Sequence, residues 1–342
     1  MRGRKAWHRL LLPLVPVYRG AVAARVTAYQ RGWLRSARMP VPVVSVGNLT
    51  FGGTGKTPTV VALVRDLVRR GRHPAVLTRG HGRAASEPVI LVGPRPGVPP
   101  ERAGDEPLEL AGRLPGVPVV VDADRVRGAS AALARSADVL VLDDGFQHLR
   151  LARDLDLVLV DAGDPWGGGH LAPRGRLREP LAGLARADAV LVTKVSGGDD
   201  PAITEVRREV SRRAPHASVL AAKLAACAVR RPEGIAGPEA LAGRRVLAVA
   251  GLGRPEGFAE TLRAAGAEVV ATRWLPDHHP WQPAEVEAHV AEAAALGAVV
   301  ATTAKDAVKM PPDSLVWVVE ARMEPLAGGW EELWNLVPRL GS

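Results

Sequence analysis

Residues 41–57, VPVVSVGNLTFGGTGKT, run from an apolar, strand-like stretch into a glycine-rich loop ending in Gly55-Lys56-Thr57. No other feature constrains the fold as tightly. Residues 59–69 follow with apolar side chains at helical spacing. A strand, such a loop and a helix in that order make a P-loop. Its backbone N–H groups, here those of Gly52, Gly53, Thr54 and Gly55, wrap phosphates, while Lys56 reaches the β/γ-phosphates and the Thr57 hydroxyl holds Mg2+. The dipole of the helix that starts around Pro58 adds to the anion site. The strict pattern places a glycine where this chain has Thr50, but Gly52 and Gly53 keep the loop permissive for positive φ. A glycine-rich turn with no ligand is the alternative, and it leaves the order of these features unexplained.

At 342 residues the chain has room for two domains with sizeable cores. Its single cysteine, Cys227, excludes an intramolecular disulfide and a cysteine metal cluster, and reads as a small buried hydrophobe. The net charge is +9, and residues 1–40 carry nine Lys/Arg and no acid, so everything after residue 40 is neutral in sum. A nucleic-acid binder with a basic surface throughout is therefore excluded. In the basic segment the charges alternate with Trp7, Tyr18, Tyr29, Trp33 and several leucines and valines. That mixture fits a segment lying on an anionic membrane surface. A helical arm packed on its own domain fits equally, and both hold if different faces are used. A transmembrane helix needs about 20 apolar residues, whereas the longest run here, residues 10–18, contains Pro13 and Pro16. A signal peptide ranks below these, because export would part a P-loop from its nucleotide.

Candidate strands at residues 43–46, 75–78, 119–121, 139–142, 157–160 and 189–192 alternate with helical patterns. The expected fold is α/β: a P-loop NTPase-like, mostly parallel sheet with helices on both faces, plus a second, smaller α/β domain. The expected division is a basic N-terminal segment over 1–40, a core domain over 41–229 and a Pro/Gly-rich linker over 230–238. A smaller domain over 239–325 and a C-terminal helix over 326–342 follow. Ligands in such sheets gather at the C-terminal strand ends.

Several polar groups fall at those ends. Leu140-Val141-Leu142-Asp143-Asp144 is a strand closing on two acids, either of which suits Mg2+ beside a P-loop. Gly104-Asp105-Glu106-Pro107 reads either as the capped start of a helix or as a source of a general base. Asp277-His278-His279-Pro280 lacks the further ligands a zinc site needs and reads as a polar loop facing the P-loop, or as an exposed turn. Two basic loops, around Arg79 and around Arg174, Arg176 and Arg178, suit an anionic substrate or transferred charge.

In order, Gly47-Asn48-Leu49-Thr50, the glycine loop, Arg79-Gly80, Gly82-Arg83, Gly104-Asp105-Glu106-Pro107 and Asp124-Arg125 resemble one family. Asp143-Asp144-Gly145-Phe146-Gln147-His148, Leu177-Arg178-Glu179-Pro180, Gly251-Leu252-Gly253, Asp277-His278-His279-Pro280 and Lys305-Asp306-Ala307-Val308-Lys309 complete the set. The family is tetraacyldisaccharide 4'-kinase, and the resemblance covers essentially the whole chain. His81, Ala304 and the stretch 172–176 depart from its usual pattern. The resemblance implies ATP-dependent phosphorylation of the 4'-hydroxyl of tetraacyldisaccharide 1-phosphate, giving lipid IVA in lipid A biosynthesis. It also implies a peripheral, monotopic enzyme on the cytoplasmic face of the inner membrane, needing neither nucleic acid nor a protein partner. With the P-loop reading it assigns Lys56, Asp105, His278 and Asp144 to catalysis. Residues 52–58 fall to ATP, and Thr57 with Asp143 or Asp144 to Mg2+. Asn48, Arg79, Arg125, His148, Arg178 and Glu179 fall to substrate. The rivals are a P-loop switch protein and a soluble kinase of a small sugar or cofactor. Residues 187–194, ADAVLVTK, faintly resemble the base-reading loop of GTPases, but Ser196 stands where that loop needs an aspartate.

Overall fold

The computed structural model describes residues 15–80, 87–93, 97–253, 255–276, 279–327 and 329–340. Strands β1 (Val43–Asn48), β2 (Pro74–Thr78), β4 (Val119–Val121), β5 (Val139–Asp143), β6 (Leu155–Asp161), β7 (Ala189–Thr193) and β8 (Ser218–Arg231) lie side by side in the order β4-β2-β5-β1-β6-β7-β8, all parallel. The short β3 (Val89–Leu91) closes one edge antiparallel to β4. In the second half, β10 (Arg245–Ala250), β11 (Glu268–Trp274), β12 (Val299–Thr303) and β13 (Trp317–Pro325) run parallel in the order β11-β10-β12-β13.

One strand joins the halves. The first residues of β8, Ser218 to Ala222, extend the parallel sheet against β7, and from Ala222 to Arg230 the strand pairs antiparallel with β13. The result is a single 13-stranded sheet with both lobes built on it. In the stretch 230–238, expected as a linker, the end of β8 pairs antiparallel with β9 (Gly234–Ala236) around a turn at Pro232 and Glu233, and the 3-10 turn Pro238–Leu241 follows.

Strand side chains alternate between two cores, as the pleat requires. Val44 and Val46 of β1 and Val139 and Val141 of β5 face the helices Lys56–Arg69 and Asp105–Arg113. Leu140 and Leu142 of β5 face the opposite way, toward Ala129 and Ala132 of helix Arg125–Leu133. In the smaller lobe Val246 and Ala248 meet Phe258 and Leu262 of helix Glu256–Ala264, while Leu247 and Val249 meet Val286 and Ala293 of helix Pro283–Ala295. Both faces are covered, which explains the near-continuous apolar strands. The chain's end returns to the first lobe: Leu333, Trp334, Val337 and Leu340 share a core with Val60, Leu63 and Leu67 of the P-loop helix. Trp334 Nε1 donates to Asp66 there at 2.7 Å. The expected C-terminal helix is one turn, Glu331–Trp334. At the other end, helix Val15–Gln30 lies on the first lobe with no buried residue. Among the described residues no helix is long and apolar enough to cross a membrane.

Candidate active site

Strand order reverses at β1, and open α/β sheets bind ligands at that point. The loop after β1 ends at Gly55, which caps helix Lys56–Arg69 in the left-handed conformation (φ 81°) with no side-chain cap. The first N–H groups of that helix therefore have no intrahelical partner and are free for an anion. A β-carbon at position 55 would crowd only the flexible end of Met323 of β13, at 2.8 Å, so it is the left-handed φ that calls for glycine. Asn48, expected at the substrate, is fully buried beneath the loop. Its Nδ2 donates to Thr50 O at 2.7 Å and to Thr54 Oγ1 at 3.0 Å, and its Oδ1 accepts from Lys56 Nζ at 3.4 Å. Asn48 thus shapes the cradle from inside.

A second segment supports the loop. Phe51 N–H donates to Arg176 O and Arg178 N–H donates to Leu49 O, both at 2.7 Å, so residues 49–51 and 176–178 form a short antiparallel bridge. This pairing brings Arg178 to the acids at the end of β5. Arg178 Nη1 donates to both Asp144 oxygens at 2.9 and 2.7 Å, and Lys56 Nζ lies 3.6 Å from Asp144 Oδ1. Asp144 itself holds a left-handed φ of 54°, a conformation that non-glycine residues keep mainly where surroundings enforce it. Burial raises its carboxyl pKa, and Lys56 and Arg178 outweigh that, leaving it below the ordinary value.

Asp143 is in the opposite condition. It is buried, Thr78 Oγ1 donates to its Oδ2 at 3.2 Å, and its Oδ1 has no hydrogen-bond partner. Burial first, then the nearby Glu106 and Asp144 charges, push its pKa up to about 7. Arg125 lies behind it, buried, donating to Asp122 O at 2.6 Å and to Asp143 O at 3.4 Å. Burial lowers the Arg125 pKa to about 10, so it stays cationic at neutral pH. The Asp124 carboxylate accepts from Val126 and Arg127 N–H and caps the helix that presents Arg125.

Two cavities meet at Arg178. One, of about 360 Å3, runs from the glycine loop to the smaller lobe, where Leu252, Phe258, Thr303 and Val319 wall it. The other, of about 490 Å3, is polar and lies on the far side of Asp144. Arg79, Arg125, His148, Arg178 and Glu179, expected from sequence at the substrate, all line it. Burial, with Arg125 and Arg153 nearby, lowers the His148 pKa to about 4, so the ring is neutral. Glu179 is buried, held by Arg186 at 2.8 Å and by Gln147 Nε2 at 2.8 Å. Helix Val15–Gln30 closes this cavity with Tyr18, Val22, Arg25 and Val26.

Asp105 is not among the residues walling either cavity. It lies 3.8 Å from Lys309 Nζ of the smaller lobe, while its neighbour Glu106 faces the P-loop cavity. His278 and His81 lie outside the described residues. Asp306 is buried and accepts from Thr303 Oγ1, Gly251 N–H and Trp281 Nε1, whereas Lys305 faces the P-loop cavity. Sequence reasoning did not single out Arg186 and Asp161, which pair with Glu179 and Lys194. It weighed Lys194 only as part of a base-reading loop, and Lys194 instead contacts the P-loop backbone.

The family model for LpxK, tetraacyldisaccharide-1-P 4'-kinase, matches residues 7–337. A tetraacyldisaccharide 4'-kinase of Anaeromyxobacter sp. (strain Fw109-5) is 44% identical, over 89% of this chain and 83% of the relative. That of Xanthomonas euvesicatoria pv. vesicatoria is 37% identical, over 96% of this chain and 92% of the relative. Among solved structures, LpxK from Aquifex aeolicus, crystallised in complex with ATP, superposes with a TM-score of 0.75 at 30% identity, covering 98% of this chain and 100% of that one. The cradle after β1, the paired acids after β5 and these likenesses agree: the chain belongs to the tetraacyldisaccharide-1-P 4'-kinase family.

Proposed function

We propose that this chain transfers the γ-phosphoryl group of ATP to the 4'-hydroxyl of tetraacyldisaccharide 1-phosphate, giving lipid IVA in lipid A biosynthesis. The observation that carries the reading is the junction of the two cavities. Arg178, Asp144 and Lys56 form one charge chain between the P-loop cavity and a polar cavity lined by arginines. A phosphoryl donor on one side and an anionic sugar acceptor on the other would meet there. Phosphoryl transfer depends chiefly on such positioning and charge neutralisation.

Gly52 to Thr57 and Lys56 hold the ATP phosphates in this reading. Mg2+ suits the acids present. It is bound by one or two carboxylates with water and phosphates rather than by an all-protein cage, and no cluster of three ligating side chains occurs among the described residues. Asp143, with its unpartnered Oδ1, and Thr57 would hold it beside Asp144, and it would neutralise charge on the phosphates. Arg79, Arg125, neutral His148 and Arg178 receive the sugar, while Glu179 holds Arg186 and Gln147 in place. Asp105, with His278, acts as base toward the 4'-hydroxyl when residues 239–325 close on residues 41–229. Near-normal turnover by Asp105→Asn and His278→Ala with saturating glycolipid would end that assignment.

The membrane contact belongs to residues 1–40, on the cytoplasmic face of the inner membrane, with no protein partner or nucleic acid required. Trp33 is 69% exposed, and Val17 and Leu34 are exposed as well, as an interfacial anchor needs. Trp33→Ser with Leu34→Ser should weaken binding to vesicles containing anionic lipid and leave ATP affinity unchanged.

The test of the reaction is transfer of labelled γ-phosphate from ATP to purified tetraacyldisaccharide 1-phosphate in detergent micelles, with Lys56→Ala as control. Labelling by the unaltered chain alone is expected. Mg2+-dependent nucleotide binding without labelling would overturn the reading in favour of a switch protein.

A further inference from the structure

The ends of β6 and β7 reach the P-loop through its carbonyl groups. Thr193, the last residue of β7, donates from Oγ1 to Thr54 O at 2.9 Å. Lys194, the next residue, donates from Nζ to Gly53 O and to Asp161 Oδ2, the latter at 2.7 Å. Asp161 ends β6, its side chain is buried, and its Oδ1 accepts from Gly163 N–H at 3.0 Å. Asp161 and Thr193 are paired in the sheet register, so the clamp stands on two neighbouring strand ends.

Lys194 reaches this position from a left-handed φ of 58°, and Asp144 is the other such non-glycine residue at the site. A strained backbone at a strand end needs surroundings that enforce it. Here the enforcing contacts are those to Gly53 and Asp161.

The consequence follows from peptide geometry. In a planar trans peptide the C=O of one residue and the N–H of the next point in opposite directions. Drawing Thr54 O toward β7 turns the Gly55 N–H away from β7, toward the open side of the loop. Drawing Gly53 O the same way fixes the preceding peptide, whose Thr54 N–H closes a tight turn onto Gly52 O at 3.1 Å. The Lys194 charge is matched by Asp161, so Lys194 acts on a bound phosphate mainly by orienting the loop. It also walls the P-loop cavity.

We infer that Thr193, Lys194 and Asp161 form a carbonyl clamp that pre-orients the P-loop amides, making Lys194 a positioning residue for the phosphoryl donor. The inference rests on the kinase reading for its kinetic test, though nucleotide binding tests it independently. In Lys194→Met the KM for ATP should rise at least tenfold, with a smaller change in kcat and an unchanged KM for the glycolipid. Loss of binding shared by ground and transition states has that signature. Asp161→Asn should shift the ATP KM in the same direction, and the double variant should be little worse than Lys194→Met alone, because the residues act as one unit. Lys194→Arg should recover part of the affinity. Where Lys194→Met fails to fold, Thr193→Val removes one clamp bond at nearly constant volume and should still raise the ATP KM several-fold. An ATP KM within twofold of the original in the folded variants would overturn the clamp, as would an equal rise in the glycolipid KM. If the unaltered chain does not turn over glycolipid, the kinase reading fails. The clamp is then judged by ATP dissociation constants from calorimetry, with the same tenfold expectation and the same twofold limit.

Discussion

The two cavities that meet at Arg178 are built by different means. The P-loop cavity is mainly a backbone object: a left-handed glycine, an uncapped helix start and carbonyls tied down by Asn48, Thr193 and Lys194. The polar cavity is a side-chain object. Arginines from separate segments converge on it, held by Asp144, Glu179 and main-chain carbonyls. A backbone cradle presents N–H groups at fixed spacing and suits a phosphate chain, which is the same in every ATP. A side-chain pocket can be retuned one residue at a time, and suits the part of the reaction that differs between kinases.

The comparison breaks first at Lys56, the long side chain that the P-loop itself contributes to its cavity. Lys56→Ala should lower turnover by about 10^2–10^3-fold with the fold intact by circular dichroism. A loss under tenfold would mean that the backbone alone carries the phosphates. On the polar side, Glu179→Ala leaves Arg186 without its buried partner. It should destabilise the chain by about 3 kcal/mol in denaturant unfolding, and an unchanged midpoint would show that the ion pairs are incidental. Arg178→Lys keeps the charge but loses the two hydrogen bonds to Asp144 from Nη1. Steady-state assays should show kcat lower by roughly tenfold, since a lysine cannot reproduce the guanidinium geometry.

Asp143 sharpens the comparison through pH. Its pKa, raised to about 7 by burial and by Glu106 and Asp144, means that the folded chain keeps a proton that an unfolded chain releases near pH 4. Stability from this group therefore falls as pH rises from about 4 to about 7 and stays level above. Asp143→Asn removes that loss, so the nucleotide-free variant should melt higher than the original at pH 8, with the gap closing toward pH 4. Turnover should increase as pH passes upward through about 7, because a protonated carboxyl is a poor Mg2+ ligand, and the variant should lose this dependence. The smallest effect is expected at Asp124, where Asp124→Ala removes the cap that presents Arg125 and should cost about 1 kcal/mol in the same unfolding measurement.

Legibility from sequence followed the same division. The candidate strands at 43–46, 75–78, 119–121, 139–142, 157–160 and 189–192 all formed, with ends extended by one or two residues in five of them. Valine- and leucine-rich runs flanked by turns carry their own signal. The glycine loop was legible because a left-handed residue before a helix leaves a mark in the sequence itself. Of the residues expected at the substrate, Arg79, Arg125, His148, Arg178 and Glu179 all line one cavity. Asn48, also expected there, is buried and bonded to Thr50, Thr54 and Lys56; a side-chain amide that braces a turn from within looks the same in sequence as one that meets a ligand. The stretch 230–238, expected as a linker, holds the β8–β9 hairpin, and its Pro and Gly are also what a tight turn needs.

The sequence by itself determined the strand–loop–helix unit, the alternation that makes a parallel sheet, the acids at the end of β5 and the concentration of positive charge before residue 41. Each is written in neighbouring residues, where spacing and φ preferences act directly. Only the tertiary structure decided that β8 would pass from one lobe to the other, or that Trp334 and Leu340 would pack under the P-loop helix. It alone placed Lys194 and Thr193 on the loop carbonyls of Gly53 and Thr54, about 140 residues away in the chain. Those contacts join segments that share no local pattern. They form because buried polar groups must find partners and apolar faces must be covered, and the sheet settles which ones come within reach.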